Sequence, residues 1–276
     1  MAPVVVALIL GAALLHATWN ALLRSGADRL AAITVMSVMS GSAAGIACLV
    51  LPLPAPAAWP YVVFSASLQI AYCVVLVRAY AHGQLGQVYP IARGSAPLLV
   101  ALGAAVTAGE RLSPVALAGL VMVCGGIVGL TLGRDRPRLA SSLAALGAGA
   151  LIAAYMVTDG IGVRLAGTAP SYIAWMSLAQ GAPMPFVYLA MRGRLPPIRR
   201  DRETLKALAG GLLSLMGYGV VVWALSTSDM ARVSGLRETS ILFAAVIGIV
   251  FLKEPLTLRR GLCAALITAG AVCLAG

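Results

Sequence analysis

Ten stretches of about twenty apolar residues follow one another along this chain, with only short and mostly basic loops between them. They lie at about 3–23, 30–52, 60–81, 86–108, 112–132, 139–160, 170–191, 206–225, 232–252 and 257–275. A helix of that length crosses a bilayer core. In lipid every backbone N–H and C=O must be satisfied within the spanning element, so a lone apolar stretch of this kind spans as a helix. A soluble fold is excluded by proportion. Hydrophobic residues make up 61% of the 276 positions and charged residues 11%, against about half and a quarter in soluble domains. A soluble core of this size would leave too little polar surface to cover it. The expected fold is therefore all-α and integral to the membrane, with ten transmembrane helices. The first span runs apolar from Pro3 to Leu23 with no basic segment before it, which reads as a retained helix and not a cleaved leader.

The net charge of +11 does not indicate nucleic acid, because the Lys and Arg residues sit in loops and form no basic face on a folded domain. Loops are numbered from the N-terminus. The odd ones hold fifteen basic residues, among them Arg134, Arg136, Arg199 and Arg200, whereas the even ones hold only Arg111, Arg164 and Arg232. The positive-inside rule then places the odd loops in the cytoplasm and both termini outside. Five cysteines lie inside apolar stretches without a CxxC pair, and the two histidines are 66 residues apart. Neither a metal site nor a disulfide framework is expected, and there is no GxSxG, HExxH or P-loop. No enzyme activity and no cofactor are expected.

The chain also repeats itself. A shift of 144 residues lays Arg93–Leu130 over Arg237–Leu274, matching Arg93 with Arg237, Glu110 with Glu254, Leu112 with Leu256, Gly126 with Gly270 and Val128 with Val272. Five spans per copy is an odd number, so the second copy crosses the membrane in the opposite sense. The expected organisation is two inverted five-helix repeats, 1–133 and 137–276, an architecture common among secondary transporters.

Three motifs then carry a resemblance: Ala-Leu-Leu-His-Ala-Thr-Trp-Asn at 13–20, Gly-Glu-Arg-Leu at 109–112 and Lys-Glu-Pro-Leu at 253–256. With ten spans in two halves, the chain resembles EamA-domain members of the drug/metabolite transporter superfamily over essentially its whole length. The resemblance implies a multi-pass protein of the inner (plasma) membrane that exports or exchanges amino acids or other metabolites. It also implies termini inside, against the charge count.

Polar groups inside a membrane helix are costly, so each needs a reason. Arg93 lies within the fourth span, in Tyr-Pro-Ile-Ala-Arg-Gly-Ser-Ala-Pro at 89–97, where two prolines and a glycine suggest a bent or broken helix. Tyr89 shares its face. Arg93 fits either an anion-binding guanidinium in a central cavity or a structural arginine paired with Asp159 or Glu238. Glu238 reads as a proton-coupling carboxylate, a ligand for a substrate ammonium group, or part of an interhelical network with Arg237. His16 and Asn20 share a face of the first helix beside Trp19, and Tyr155 and Asp159 share one on the sixth. Gln69 and Tyr72 offer further wall. Trp59, Tyr61, Tyr172 and Trp175 read as interface anchors, and Gly125 and Gly129 as a small-residue packing seam. The expected substrate-binding set is Arg93, Tyr89, Asn20, Trp19, Gln69 and Glu238, with Glu238 or Asp159 coupling protons. The expected activity is alternating-access transport of a small polar metabolite, amino acid or organic anion, by a monomer with no nucleic-acid partner. A lipid or lipid-linked-sugar translocator and a multidrug cation exporter would share the fold.

Overall fold

The computed structural model describes residues 1–22, 28–82, 85–130, 139–196, 201–253 and 257–276, with the side chains of 78–82, 85–89, 139–141 and 251–252 set aside. Its described residues are helical and contain no strand. The first half holds α1 (Pro3–Leu22), α2 (Arg29–Cys48), α3 (Trp59–His82), α4 (Leu85–Ala108) and α5 (Pro114–Gly129). The second holds α6 (Leu139–Leu165), α7 (Ala169–Gly181), α8 (Met184–Arg192), α9 (Arg202–Thr227), α10 (Met230–Arg237), α11 (Ser240–Leu252) and α12 (Leu258–Ala275). Among the described residues eight segments are long and apolar enough to cross a membrane, and α5 is a shorter apolar helix. The protein is a multi-pass membrane protein. Outward-facing Phe64, Leu102, Phe186, Met216 and Leu262 are well exposed on the bundle surface, as lipid-facing positions must be.

Local sequence explains where the helices start. Asp28, Ser113, Asp201 and Thr257 each accept a hydrogen bond from a first-turn N–H of the helix that follows, which satisfies a donor the helix leaves open. Pro114 opens α5, where its missing N–H costs nothing. The stretch expected as one span at 170–191 is divided into α7 and α8 around Ala182–Pro183.

The stretch at 86–108 differs from expectation. α4 runs unbroken through Pro90 and Pro97. Pro97 offers no N–H to the Arg93 carbonyl, but the segment packs closely and remains one helix. A Cβ on Gly94 would lie 3.3 Å from the Cys124 carbonyl and 2.9 Å from Val128. The break occurs instead in the other copy, between α10 and α11, where no proline is present. There Thr239 and Ile241 donate backbone bonds three residues back, to Leu236 and Glu238, and the Thr239 hydroxyl also donates to the Leu236 carbonyl at 2.7 Å. Short polar side chains that compete for backbone groups weaken a helix in this way.

The core is shared across the bundle. Buried Ile9, Val62, Val100, Leu120, Met156, Val222, Leu236 and Ile267 belong to one cluster. α4 and α3 pack on α6, α1 packs on α9, α2 lies against α7 and α9, and α5 packs along α12. The α5–α12 seam is closest at Gly119 and Gly126, where a Cβ would lie 2.7 Å from the Gly270 carbonyl and 2.6 Å from Ile267. The expected seam residue Gly125 faces open space, while Gly129 meets Cys263. The tight face is one residue out of register because α5 rolls Gly126 onto its partner.

Gly109 and Lys253 are related by the 144-residue shift, and both close a helix with positive φ, 66° and 53°. Glycine enters that region freely, but an L-residue with a Cβ does not. Lys253→Gly should therefore raise stability by about 0.5–1 kcal/mol, read as a higher melting temperature of detergent-purified protein. A lower one would show that the Lys253 side chain contributes more than its backbone costs.

Candidate functional site

Two buried charged centres and one surface-level clasp lie where the halves meet. The first centre joins α4 to the α10–α11 break. Arg93 Nε lies 2.9 Å from Glu238 Oε2, with the two side chains 2% and 1% exposed. Arg93 Nη2 donates to Ser240 Oγ at 3.2 Å. Breaking the helix at Glu238–Thr239 sets the carboxylate and the Ser240 hydroxyl side by side on the guanidinium. Ser240 also lines a cavity of about 110 Å³, together with His16, Ala17 and Asn20 of α1, Pro90, Leu130, Ile241 and Ala244. The ion pair therefore forms the floor of a pocket at the end of the bundle where α1 and α5 finish and α4 begins.

The second centre is built on Asp159 of α6, which is fully buried. Tyr172 Oη donates to Oδ1 at 2.9 Å and Tyr218 Oη to Oδ2 at 2.5 Å. Ser65 lies close by and accepts from Gln69 Nε2 at 3.1 Å. A carboxylate in hydrocarbon depth is tolerable when donors surround it in this way. The Arg237 guanidinium carbon stands 5.2 Å from the Tyr218 ring centroid, and its Nη1 reaches Met156 Sδ at 3.5 Å. Tyr155 stacks edge-on against both Tyr72 and Tyr218.

The clasp lies at the opposite end from the cavity. Arg164, in the last turn of α6, donates from Nη2 to Glu110 Oε1 at 2.7 Å. It also donates to the Leu225 and Ser228 carbonyls at 3.0 and 2.9 Å. Glu110 Oε2 accepts the N–H of Met230 at 2.8 Å. One carboxylate thus caps the start of α10 while its arginine caps the end of α9, satisfying backbone groups that helix termini leave open.

The model of the EamA-like transporter family matches residues 139–276, half of the chain. The chain belongs to that family. EamA-like transporters form part of the drug/metabolite transporter superfamily, and the site is that of a membrane transporter. A solved crystal structure whose description names no function is 20% identical and superposes with a TM-score of 0.77, covering 98% of this chain and 94% of that one. At that identity the likeness speaks for the fold alone. No curated protein is significantly similar.

In this EamA-like protein the expected site residues divide between the two centres. Arg93, Glu238 and Asn20 converge on the cavity, and Asn20 Nδ2 donates to its own helix at the His16 carbonyl, 2.8 Å. Gln69 and Asp159 meet in the second centre through Ser65. Trp19 packs edge-on to His16, with centroids 4.9 Å apart, and lies against the Val35, Met36 and Ala207 cluster instead of on the cavity wall. The Tyr89 side chain lies outside the described residues, as does Glu254. Tyr172 is no interface anchor, since it is fully buried on Asp159. Trp59 and Trp175 pack on each other at 5.1 Å against the core. Sequence reasoning missed Ser240, Ser65 and the clasp. Ser240 was signalled only by the polar run Arg-Glu-Thr-Ser at 237–240.

Proposed function

We propose that this EamA-like protein is a secondary transporter that exports or exchanges a small polar metabolite, an amino acid or organic anion, by alternating access. The observation that carries this reading is the cavity whose floor is a fully buried Arg93–Glu238 pair, contributed by α4 on one side and by the broken α10–α11 helix on the other. A buried charge pair beside a discontinuous helix is where transporters place solute and coupling-ion sites. Asn20 and His16 offer hydrogen-bonding groups at the wall, Tyr89 shares the Arg93 face of α4, and Gln69 and Trp19 lie behind. Glu238, whose ion-pair partner is a single guanidinium, is the carboxylate better placed than Asp159 to exchange a proton.

The reading includes ten spans, counting α7–α8 and α10–α11 as one each, in inverted repeats at 1–133 and 137–276. Pairwise packing supports it. Gly119 meets Gly270 while Gly126 meets Cys263, and the 144-residue shift turns the first pair into the second. α3 lies on α6 as α9 lies on α1. The family match falls on the second repeat. With both repeats in one chain, the protein works as a monomer in the inner membrane and catalyses no chemical conversion. In this conformation the Glu110–Arg164 clasp closes one end and the cavity lies toward the other, so solute passage requires the clasp to part.

The test is solute counterflow in proteoliposomes that hold the full chain, preloaded in turn with pooled amino acids and pooled organic acids. Exchange above protein-free vesicles is expected for at least one pool, together with its loss in Glu238→Gln. No exchange of any pool by protein that elutes as a single intact species would contradict the reading.

A further inference from the structure

Arg237 is buried to 7% exposure, and it has no direct ion-pair partner. Among the described residues no carboxylate lies within ion-pair distance of it. Its own neighbour in sequence, Glu238, is turned onto Arg93. Asp159, held by Tyr172 and Tyr218, sits at the hydroxyl edge of the ring whose face Arg237 covers. What Arg237 touches is a thioether and an aromatic face. Both are weak partners for a guanidinium with five N–H donors. Its counterpart Arg93, by contrast, has its carboxylate and a hydroxyl in place.

Arg237 stands at a run of aromatic rings. Tyr72, Tyr155 and Tyr218, near the middle of α3, α6 and α9, form a continuous edge-to-face series. Its two outer rings keep accessible surface at that depth. His16, on the wall of the 110 Å³ cavity, lies within electrostatic reach of both guanidinium groups, so Arg237 lies near that cavity, behind its lining. We infer that Arg237, rather than Arg93, is the arginine that receives the solute's negative group, and that the solute is a small monocarboxylate seated against the Tyr72–Tyr155–Tyr218 wall. A planar carboxylate matches the guanidinium fork with two parallel hydrogen bonds. A single negative charge answers the single charge of Arg237, whereas a phosphate dianion would bring a second charge into a low-dielectric site. This inference rests on the transporter reading for its biological sense but not for its test.

The experiment measures the melting temperature of the detergent-purified full chain with acetate, butyrate and benzoate, each against its neutral amide, and with inorganic phosphate. At least one acid should raise the melting temperature while its amide does not, and phosphate should do less than that acid. The shift should require at least about tenfold more acid in Arg237→Met. Acids that act no better than amides, or an acid shift undiminished in Arg237→Met, overturn the assignment; a phosphate shift larger than any acid's overturns the choice of carboxylate. If Arg237→Met does not fold, Arg237→Lys keeps the charge without the planar fork. It must weaken the acid shift severalfold, and acid binding as tight as wild type overturns the assignment. Counterflow separates the two readings. Flux of neutral or cationic solutes alone keeps the transporter and removes the carboxylate site. An acid shift that depends on Arg237, without flux of any solute, keeps the site and removes the transporter.

Discussion

Glu238→Leu destabilises the folded protein by about 3–5 kcal/mol, because it strands the Arg93 guanidinium at 2% exposure without its carboxylate. The Coulombic gain of the intact pair is largely offset by the cost of taking both charges out of water. The expected signature is therefore non-additive. Arg93→Met/Glu238→Leu, which removes both charges and keeps apolar volume, recovers most of the loss and ends near the wild type in stability. Transport does not recover with it, since Ser240 then has no charged partner and the cavity floor is neutral. A double-mutant cycle on melting temperature and counterflow reads both quantities from the same four proteins. A double variant as unstable as the single one would mean that the pair is held by neighbours other than its own partner. A double variant that transports normally would mean that the pair takes no part in transport.

Asp159→Leu is the second large effect, about 2–5 kcal/mol, and its cause differs. The substitution strands hydroxyls. Tyr172 and Tyr218 both direct their O–H groups at one carboxylate, and each buried donor left without an acceptor costs about 1–3 kcal/mol. Partial relaxation of Tyr218, which is not fully buried, keeps the total below the sum. Asp159→Asn retains one acceptor oxygen and loses less. Adding Tyr172→Phe to Asp159→Leu should return part of the loss, because it removes a stranded hydroxyl, whereas Tyr172→Phe alone should destabilise. Thermal unfolding of these four variants tests the order. If Asp159→Leu is no worse than Asp159→Asn, water reaches these hydroxyls and the centre is open.

The bundle was legible in the sequence because a bilayer leaves so few choices. Long apolar stretches must be helices, although the caps at Asp28, Ser113, Asp201 and Thr257 emerged only from the structure. The sites were legible only as residue types. Arg93, Glu238 and Asp159 stood out because charge at that depth needs a partner, yet periodicity carries no information about which partner. The Arg93–Glu238 pair spans 145 residues and was one of several open alternatives. Arg237 and Glu238, adjacent in sequence, go to different centres because the helix breaks just after them. A bend or break was expected at Pro90–Pro97, since proline is the visible helix breaker. In α4 packing overrides it, and in the other copy Thr239 and Ser240 do the breaking through side-chain competition that no simple pattern marks. Tyr172 was misread because an aromatic near a helix start is commonly an interface residue; only the α6–α7 turn brings it onto Asp159. The repeat was visible in Glu110, but its task of holding α6, α9 and α10 together depends on Arg164 and on backbone groups that sequence does not display.

The alternating-access account stands most directly on the clasp. In a variant whose native cysteines are replaced by alanine, Glu110→Cys and Arg164→Cys are bridged with a short bifunctional methanethiosulfonate reagent, and solute counterflow is measured before bridging, after it and after reduction. The account predicts that bridging stops exchange, that reduction restores it, and that either single cysteine treated alike keeps exchanging. Undiminished exchange through fully bridged protein would mean that this end never opens during transport, and would contradict the account.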